Sequence, residues 1–167
     1  MTLHRASIGT ATQMLEALSG VLDKSKAHAA AKKIDESVFL TARLFPDMLP
    51  LTRQVQIACD MLARGAARLA GSEIPKFEDK EASFDDLKAR IAAALAFAGK
   101  QDAAAVNAGA AKEITFPAGP RSYSLTGEDY NTRWMLPNLM FHVTTAYCIL
   151  RHNGVEIGKG DFLGKVA

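Results

Sequence analysis

His142 is the residue whose type and position most clearly suggest chemistry. It falls in Thr132–Asn153, a stretch of helical periodicity that Gly154 ends. At about 100° of turn per residue, Met135, Asn138, Ala146, Ile149 and Asn153 all lie within about 40° of it, with Leu139 and Leu150 flanking. The imidazole therefore sits at the centre of an inward-facing stripe. A histidine there can ligate a metal or act as a general base in a pocket between helices. It can equally be a core histidine whose ring nitrogens are satisfied by a polar neighbour such as Asn138, Thr145 or Gln54. A metal site in a bundle needs about three or four ligands converging from facing helices, and a partner on the same helix should lie one turn away. The positions one turn on are Thr145 and Ala146. His4, His28 and His152 fall near helix ends or off the apolar centre. The histidines form no ligand pattern, so no metal or other cofactor is expected; a divalent metal at His142 is the remaining alternative.

Gln54 is the polar residue best placed to meet His142. It lies about 60° from the centre of the stripe Leu51, Val55, Ala58, Leu62 and Leu69, on a helix expected from Met48 to about Ala70. If that helix runs parallel to the one carrying His142, the two side chains differ in height by about 5 Å at ~1.5 Å per residue. A carboxamide–imidazole hydrogen bond is then the expected contact. Asp47 has two readings. It can cap the same helix by accepting from free backbone N–H groups, or it can face a pocket with Gln54 and His142. The candidate ligand-binding set is thus His142, Gln54, Asp47 and Asn138, with His142 and Asp47 the candidate catalytic groups. Arg43 either pairs within the connector before Pro46 or binds an anion at the helix start. Cys59 and Cys148 lack a basic neighbour of catalytic geometry and read as inert thiols. The GxxxxGK[ST] spacing, the GxSxG elbow and a Ser-His-Asp arrangement are all missing.

Four helical segments must position these residues. The first runs from about Thr2 to Ala31, with Ile8, Ala11, Leu15, Leu18, Leu22 and Ala29 on one face. The connector Ala31–Pro46 has room for a short turn of structure around Val38–Leu40. The second helix ends at Gly71, a natural residue beyond a helix C-terminus. The third follows Ser83-Phe84-Asp85-Asp86, which resembles a capping box, and buries Leu87, Ile91, Ala94, Leu95 and Ala98. Between it and the fourth, Ile114-Thr115-Phe116 and Tyr123-Ser124-Leu125 alternate around Pro117-Ala118-Gly119-Pro120. This predicts a short β-hairpin over about 112–126, which must pack on the helices because an isolated ribbon is marginal. The tail from Val155 is Gly-rich and reads as irregular. The fold expected is all-α, a single four-helix bundle domain over 1–167 with a β-hairpin between the third and fourth helices.

Composition narrows the function classes. Of 167 residues, 49% are hydrophobic and 23% charged, enough apolar material for one core. Twenty Lys and Arg against eighteen Asp and Glu give a net charge of +2, and no segment concentrates it, which argues against nucleic-acid binding. No stretch approaches the ~18 apolar residues needed to span a bilayer. Two distant cysteines fit a reducing compartment better than a disulfide framework. A cytoplasmic protein with no membrane or nucleic-acid partner is expected. An apolar patch including Ile57, Met61 and Met140 is suited to burial against a second copy.

Several stretches together resemble a known family. They are Arg43–Leu51, Gln54-Val55-Gln56 and Arg68-Leu69-Ala70-Gly71 in the first half, then Pro137–Tyr147, Leu150–Val155, Gly158-Lys159 and Asp161-Phe162 in the second. The chain is similar to an uncharacterised bacterial domain family placed in the DinB/YfiT-like superfamily, and the resemblance covers nearly all of it. It implies a DinB-like four-helix bundle, often a homodimer. The wider superfamily is described as metalloenzymes, several of them transferases or isomerases that use small thiols such as bacillithiol or mycothiol. Their metal triad takes one histidine from the second helix and an HxxxH pair from the fourth. Here His142 matches one member of the pair, Ala146 stands where the other would be, and Gln54 is the nearest polar residue on the second helix. Two functions remain in view: a small-molecule-binding bundle that works without a metal, and a divergent metal- or thiol-dependent transferase or isomerase. Whether the protein is an enzyme is left open by the residues alone.

Overall fold

The four apolar stripes become four long helices. The structure, a computed structural model, describes residues 1–166. Helix α1 spans Thr10–Lys32 and is preceded by a π-helical turn, Arg5–Gly9. Helix α3 spans Leu51–Ala70, α4 spans Phe84–Gly99 and α7 spans Leu136–His152. Shorter helices lie between and after them: α2 (Glu36–Leu40), α5 (Ala103–Ala108), α6 (Gly127–Tyr130) and α8 (Lys159–Leu163). A π-helical segment, Asn131–Met135, joins α6 to α7. The fourth helix of the bundle therefore begins before the expected Thr132. The expected stripe residues Leu15, Leu22, Val55, Leu62, Leu87, Ile91, Met135 and Ile149 are all buried in one core.

Helix α3 packs between α4 and α7, α1 closes the ring between the same two helices, and α1 and α3 lie nearly across the diagonal. Side-chain pairs fix the directions. Gln54 meets His142, and further along α3 Gly65 faces Met135, so α3 and α7 run antiparallel. This corrects the parallel arrangement assumed from the sequence. The two residues still meet, because Gln54 lies in the first turn of α3 and His142 in the middle of α7. By the same reasoning α3 and α4 run parallel: Asp60 pairs with Arg90, and Ser72 with Gln101. The chain must then return along the bundle between Gly71 and Ser83. This strap is tied down by Arg90, whose side chain is only 3% exposed and binds Asp79 and Glu81 of the strap together with Asp60 of α3. Asp60, which lies off the apolar stripe of α3, turns toward Arg90 at 2.7 Å.

Local chemistry sets the boundaries. Pro50, not Asp47, occupies the position before α3, where its fixed φ suits the approach. Asp47 therefore does not cap the helix. Gly71 ends α3 at φ 75°, a conformation glycine adopts without a Cβ penalty. Ser83 caps α4 by accepting from the Asp86 N–H, while the Asp86 carboxylate accepts from Ala82 N–H, one residue earlier than in a standard capping box.

The hairpin forms where expected, as β1 (Glu113–Ala118) and β2 (Arg121–Thr126), with Ile114 opposite Leu125, Thr115 opposite Ser124 and Phe116 opposite Tyr123. It packs on the bundle through Phe116, which contacts Tyr123, Tyr130 and Trp134. Each such aromatic pair adds about 0.5–1.5 kcal/mol beyond burial. Arg68 of α3 lies over the Phe116 and Tyr130 rings and donates to the Tyr130 hydroxyl at 3.0 Å. The tail is more ordered than its glycines suggest: Val155 and Ile157 are buried, and α8 packs on α1.

Candidate functional site

The site grows from the connector between α2 and α3. Arg43 donates to the carbonyls of Pro46 and Met48, at 3.2 and 2.9 Å, and so folds the proline-flanked segment onto itself. Of the two readings of Arg43, the structure shows pairing within the connector. Leu51 N–H donates to the Ala42 carbonyl and the Thr52 hydroxyl to the Leu40 carbonyl, which anchor the segment to the start of α3. The Leu49 carbonyl is thereby fixed, and Gln54 Nε2 donates to it at 2.9 Å.

That contact orients the carboxamide. With Nε2 committed to a carbonyl, Gln54 Oε1 is left to accept, and it lies 2.7 Å from His142 Nδ1, across 88 positions of sequence. A carboxamide oxygen only accepts, so Nδ1 carries the proton of the pair and Nε2 of the neutral ring carries the lone pair. Gln54 is wholly buried and His142 is 9% exposed. Burial holds the His142 pKa below the ordinary histidine value, favouring the neutral ring. His142 Nε2 has no hydrogen-bond partner among the described residues and keeps contact with solvent. Phe141 packs edge-on against the ring, with centroids 5.2 Å apart.

The other sequence candidates lie apart from this pair. Asn138 is half-buried and its Nδ2 donates to the Trp134 carbonyl at 2.7 Å, not to His142. Thr145 donates to the Phe141 carbonyl. Asp47 is exposed and makes no hydrogen bond or ion pair among the described residues. His28 packs against Phe39, and the backbone N–H of His4 donates to Asn107. Cys59 is fully buried, and burial pushes its thiol pKa far up, in keeping with an inert role.

A groove of about 480 Å³ lies on the outer side of α7, walled by Leu44 and Met48 of the connector and by Pro137, Met140, Phe141 and Cys148 of α7; neither His142 nor Gln54 lines it. The sequence reading did not single it out. Its signal was available in Phe141, Thr144 and Cys148, which recur at helical spacing on the outer side of a helix whose inner side is already apolar.

Residues 3–163 match a family described as a domain of unknown function, DUF1993. The chain belongs to this family. The DUF1993 chain is also similar to a solved structure, the crystal structure of a DinB family member protein from Shewanella denitrificans. The two are 41% identical, with a TM-score of 0.89, over 98% of this chain and 93% of that one. At that identity and coverage the DinB-like bundle is shown, in agreement with the resemblance carried by the sequence motifs. No curated protein matches the chain.

The metal triad of the wider superfamily can be tested against these side chains. Ala146 offers no donor atom and is wholly buried. Both ends of the Gln54 carboxamide are already engaged, one by Leu49 and one by His142. No group of three His, Cys, Asp or Glu side chains is placed to hold a metal ion among the described residues. Of the triad positions, His142 alone carries an imidazole. No described helix is long and apolar enough to cross a membrane.

Proposed function

We propose that this DinB-like bundle works without a metal and binds a small molecule through His142 Nε2, which accepts a hydrogen bond from the ligand. The observation that carries this reading is the Gln54–His142 contact at 2.7 Å, with the carboxamide itself held by Leu49. A histidine kept only for the core would have both nitrogens satisfied or wholly enclosed. Here one nitrogen is bonded and oriented, and the other is left open. Gln54 is a positioning residue: it sets the tautomer and touches the ligand only through the ring. Asn138 shares the face of α7 that carries His142 and is half-buried, and Asp47 is exposed in the connector.

The reading extends to the assembly and the compartment. Met61 and Met140 are only partly covered by the core, and Leu44, Phe45 and Phe141 are exposed, which supports a homodimer built on an apolar face. Both cysteines are free, which suits a reducing cytoplasm. Light scattering of the purified protein tests the dimer.

Elemental analysis tests the metal-free site. The expected result is a substoichiometric metal content that His142→Ala leaves unchanged. Stoichiometric zinc or nickel, lost on His142→Ala, would replace this reading with the metal-dependent transferase. An assay with several low-molecular-weight thiols is expected to show no turnover.

A further inference from the structure

Apart from the His142 site, we propose that the cleft between the first turns of the chain and the α6–α7 junction binds a small primary ammonium ion with a short apolar tail. The cleft holds about 260 Å³, just below the usual range of small-molecule sites, about 300–1,000 Å³. It therefore suits a molecule of a few carbons. One wall is apolar, from Leu3, Ala6 and Ala110. The other carries Glu128, Asn131 and Thr132, spaced three and four along the chain and so on one face. Both walls are tied to α5 and the residues just after it. His4 N–H donates to Asn107 Oδ1 at 2.9 Å, and Glu128 N–H donates to the Ala110 carbonyl at 3.0 Å.

Two independent observations point to a ligand there. First, Asn131 is 1% exposed and its Oδ1 has no hydrogen-bond partner among the described residues. Buried acceptors are nearly always paired, so this one asks for a donor from outside the chain. The terminal torsion of an asparagine is broad, and a turn of the carboxamide can bring that oxygen to the cleft it lines. Second, the two π-helical turns, Arg5–Gly9 and Asn131–Met135, both border the cleft, one through Ala6 and the other through Asn131 and Thr132. Such turns are rare and recur at functional sites.

Charge sets the class of ligand. The Glu128 carboxylate makes no ion pair or hydrogen bond among the described residues, and no Lys, Arg or His side chain lines the cleft. The Thr132 hydroxyl spends its proton on the Glu128 carbonyl at 2.9 Å, which leaves its oxygen free to accept. A primary ammonium has three N–H donors and no acceptor. Here it finds a carboxylate, a carboxamide oxygen and a hydroxyl oxygen. An anion would meet Glu128 without a counter-charge, and a divalent metal would find a single carboxylate where it favours several oxygen ligands.

The test follows the ¹H–¹⁵N spectrum of the full chain, including the Asn131 side-chain amide, during titration with n-butylammonium, n-butanol and tetramethylammonium. Butanol has the same tail without the charge, and tetramethylammonium has the charge without an N–H donor. Butylammonium is expected to shift the Asn131 side chain and the backbone of residues 128–132 saturably. Glu128→Gln, at an exposed position, keeps the shape and removes the charge; it is expected to weaken that binding at least about tenfold. Asn131→Leu is expected to abolish it, and if that variant does not fold, Glu128→Gln carries the test alone. Equal binding of butanol would overturn the ammonium class, and equal binding of tetramethylammonium would overturn the need for N–H donors. Binding that Glu128→Gln leaves unchanged, or shifts spread over carboxylates across the surface, would show general ion pairing and sink the site. So would the lack of any saturable shift with butylammonium.

Discussion

His142 Nδ1 lies 2.7 Å from Gln54 Oε1, joining the middle of α7 to the first turn of α3. The direction of this bond is set from outside the pair, by the Leu49 carbonyl that holds the other end of the carboxamide. Gln54→Leu keeps the volume and removes the acceptor. Nδ1–H is then buried without a partner, a loss of about 1–3 kcal/mol. Urea unfolding should show that loss, and ¹⁵N spectra of the imidazole should show Nδ1–H giving way to a mixture of tautomers. A pure Nδ1–H tautomer in the variant would mean that Gln54 does not set it.

Gln54→Glu tests the electrostatics of the same contact. In the native protein, burial lowers the His142 pKa from its ordinary value of 6.5. The unfolded chain therefore takes up a proton before the folded one does. The stability linked to this group is complete above about pH 6.5 and is lost as pH falls from there through the lower folded pKa. A carboxylate at position 54 would stabilise the imidazolium and move the folded pKa upward, by about 1–3 units for a close opposite charge. The sign of the linkage reverses when the folded pKa exceeds 6.5: stability then falls as pH rises through it. Titration by NMR, paired with unfolding at pH 5 and pH 8, checks both statements.

The bundle and the hairpin were legible because their signals are local and periodic. Leu15, Leu18 and Leu22, or Phe116 and Tyr123, announce a face or a register within a few residues. Gln54 and His142 were each legible as polar residues on or beside an inner stripe, but the height argument that paired them assumed parallel helices, whereas α3 and α7 run antiparallel. The direction of α3 relative to α7 was not legible, since an apolar stripe looks the same read either way. Asp47 misled because a good capping residue preceded Pro50, and proline's geometry took the position before the helix instead. Arg90 was missed because it flanks the stripe formed by Leu87, Ile91 and Ala94. Its burial depends on Glu78, Asp79 and Glu81 of the strap folding back over it, which no helical period contains.

Arg90 should be the main tie of the strap. Its guanidinium binds Asp60, Asp79 and Glu81 and lies 4.5 Å from the centroid of the Phe77 ring. Arg90→Met preserves most of the bulk; Asp60 keeps Arg64 and Asp79 keeps Arg53, but Glu81 is left buried without a counter-charge, a loss of up to about 3–5 kcal/mol. The loss should be local. Hydrogen exchange should rise across residues 72–82 before it rises in α3 or α7. Uniform exchange across the chain would show that the strap does not open on its own.

Acid should loosen the same strap. Desolvation raises the Asp79 pKa, but hydrogen bonds from Arg53 and Arg90 outweigh it, and the carboxyl ends below its ordinary 3.8. A lowered carboxylate pKa supports the folded state fully above the unfolded value and less as pH falls through the folded one. Strap protection should therefore persist to about pH 4 and fade below it. Asp79→Asn should remove much of that pH dependence, and limited proteolysis between pH 3 and pH 6 gives the readout.

Gly109 and Gly127 sit where backbone from another segment leaves no room for a Cβ. A Cβ on Gly109 would lie 2.2 Å from the Leu69 carbonyl oxygen, and one on Gly127 would lie 2.2 Å from the Gly109 carbonyl oxygen. Both obstacles are backbone, so no side chain can swing aside. The end of α3, the end of α5 and the start of α6 are stacked at a spacing that only glycine permits. Gly109→Ala or Gly127→Ala must push these segments apart, an overpacking loss of about 1–3 kcal/mol or more. Gly20→Ala is the control, because nothing lies within 4 Å of its Cβ and alanine favours a helix by up to about 1 kcal/mol. Thermal unfolding should place the first two variants below the native protein and the control at or above it. A native-like midpoint for Gly109→Ala would mean that the hairpin end of the bundle tolerates more separation than its packing indicates.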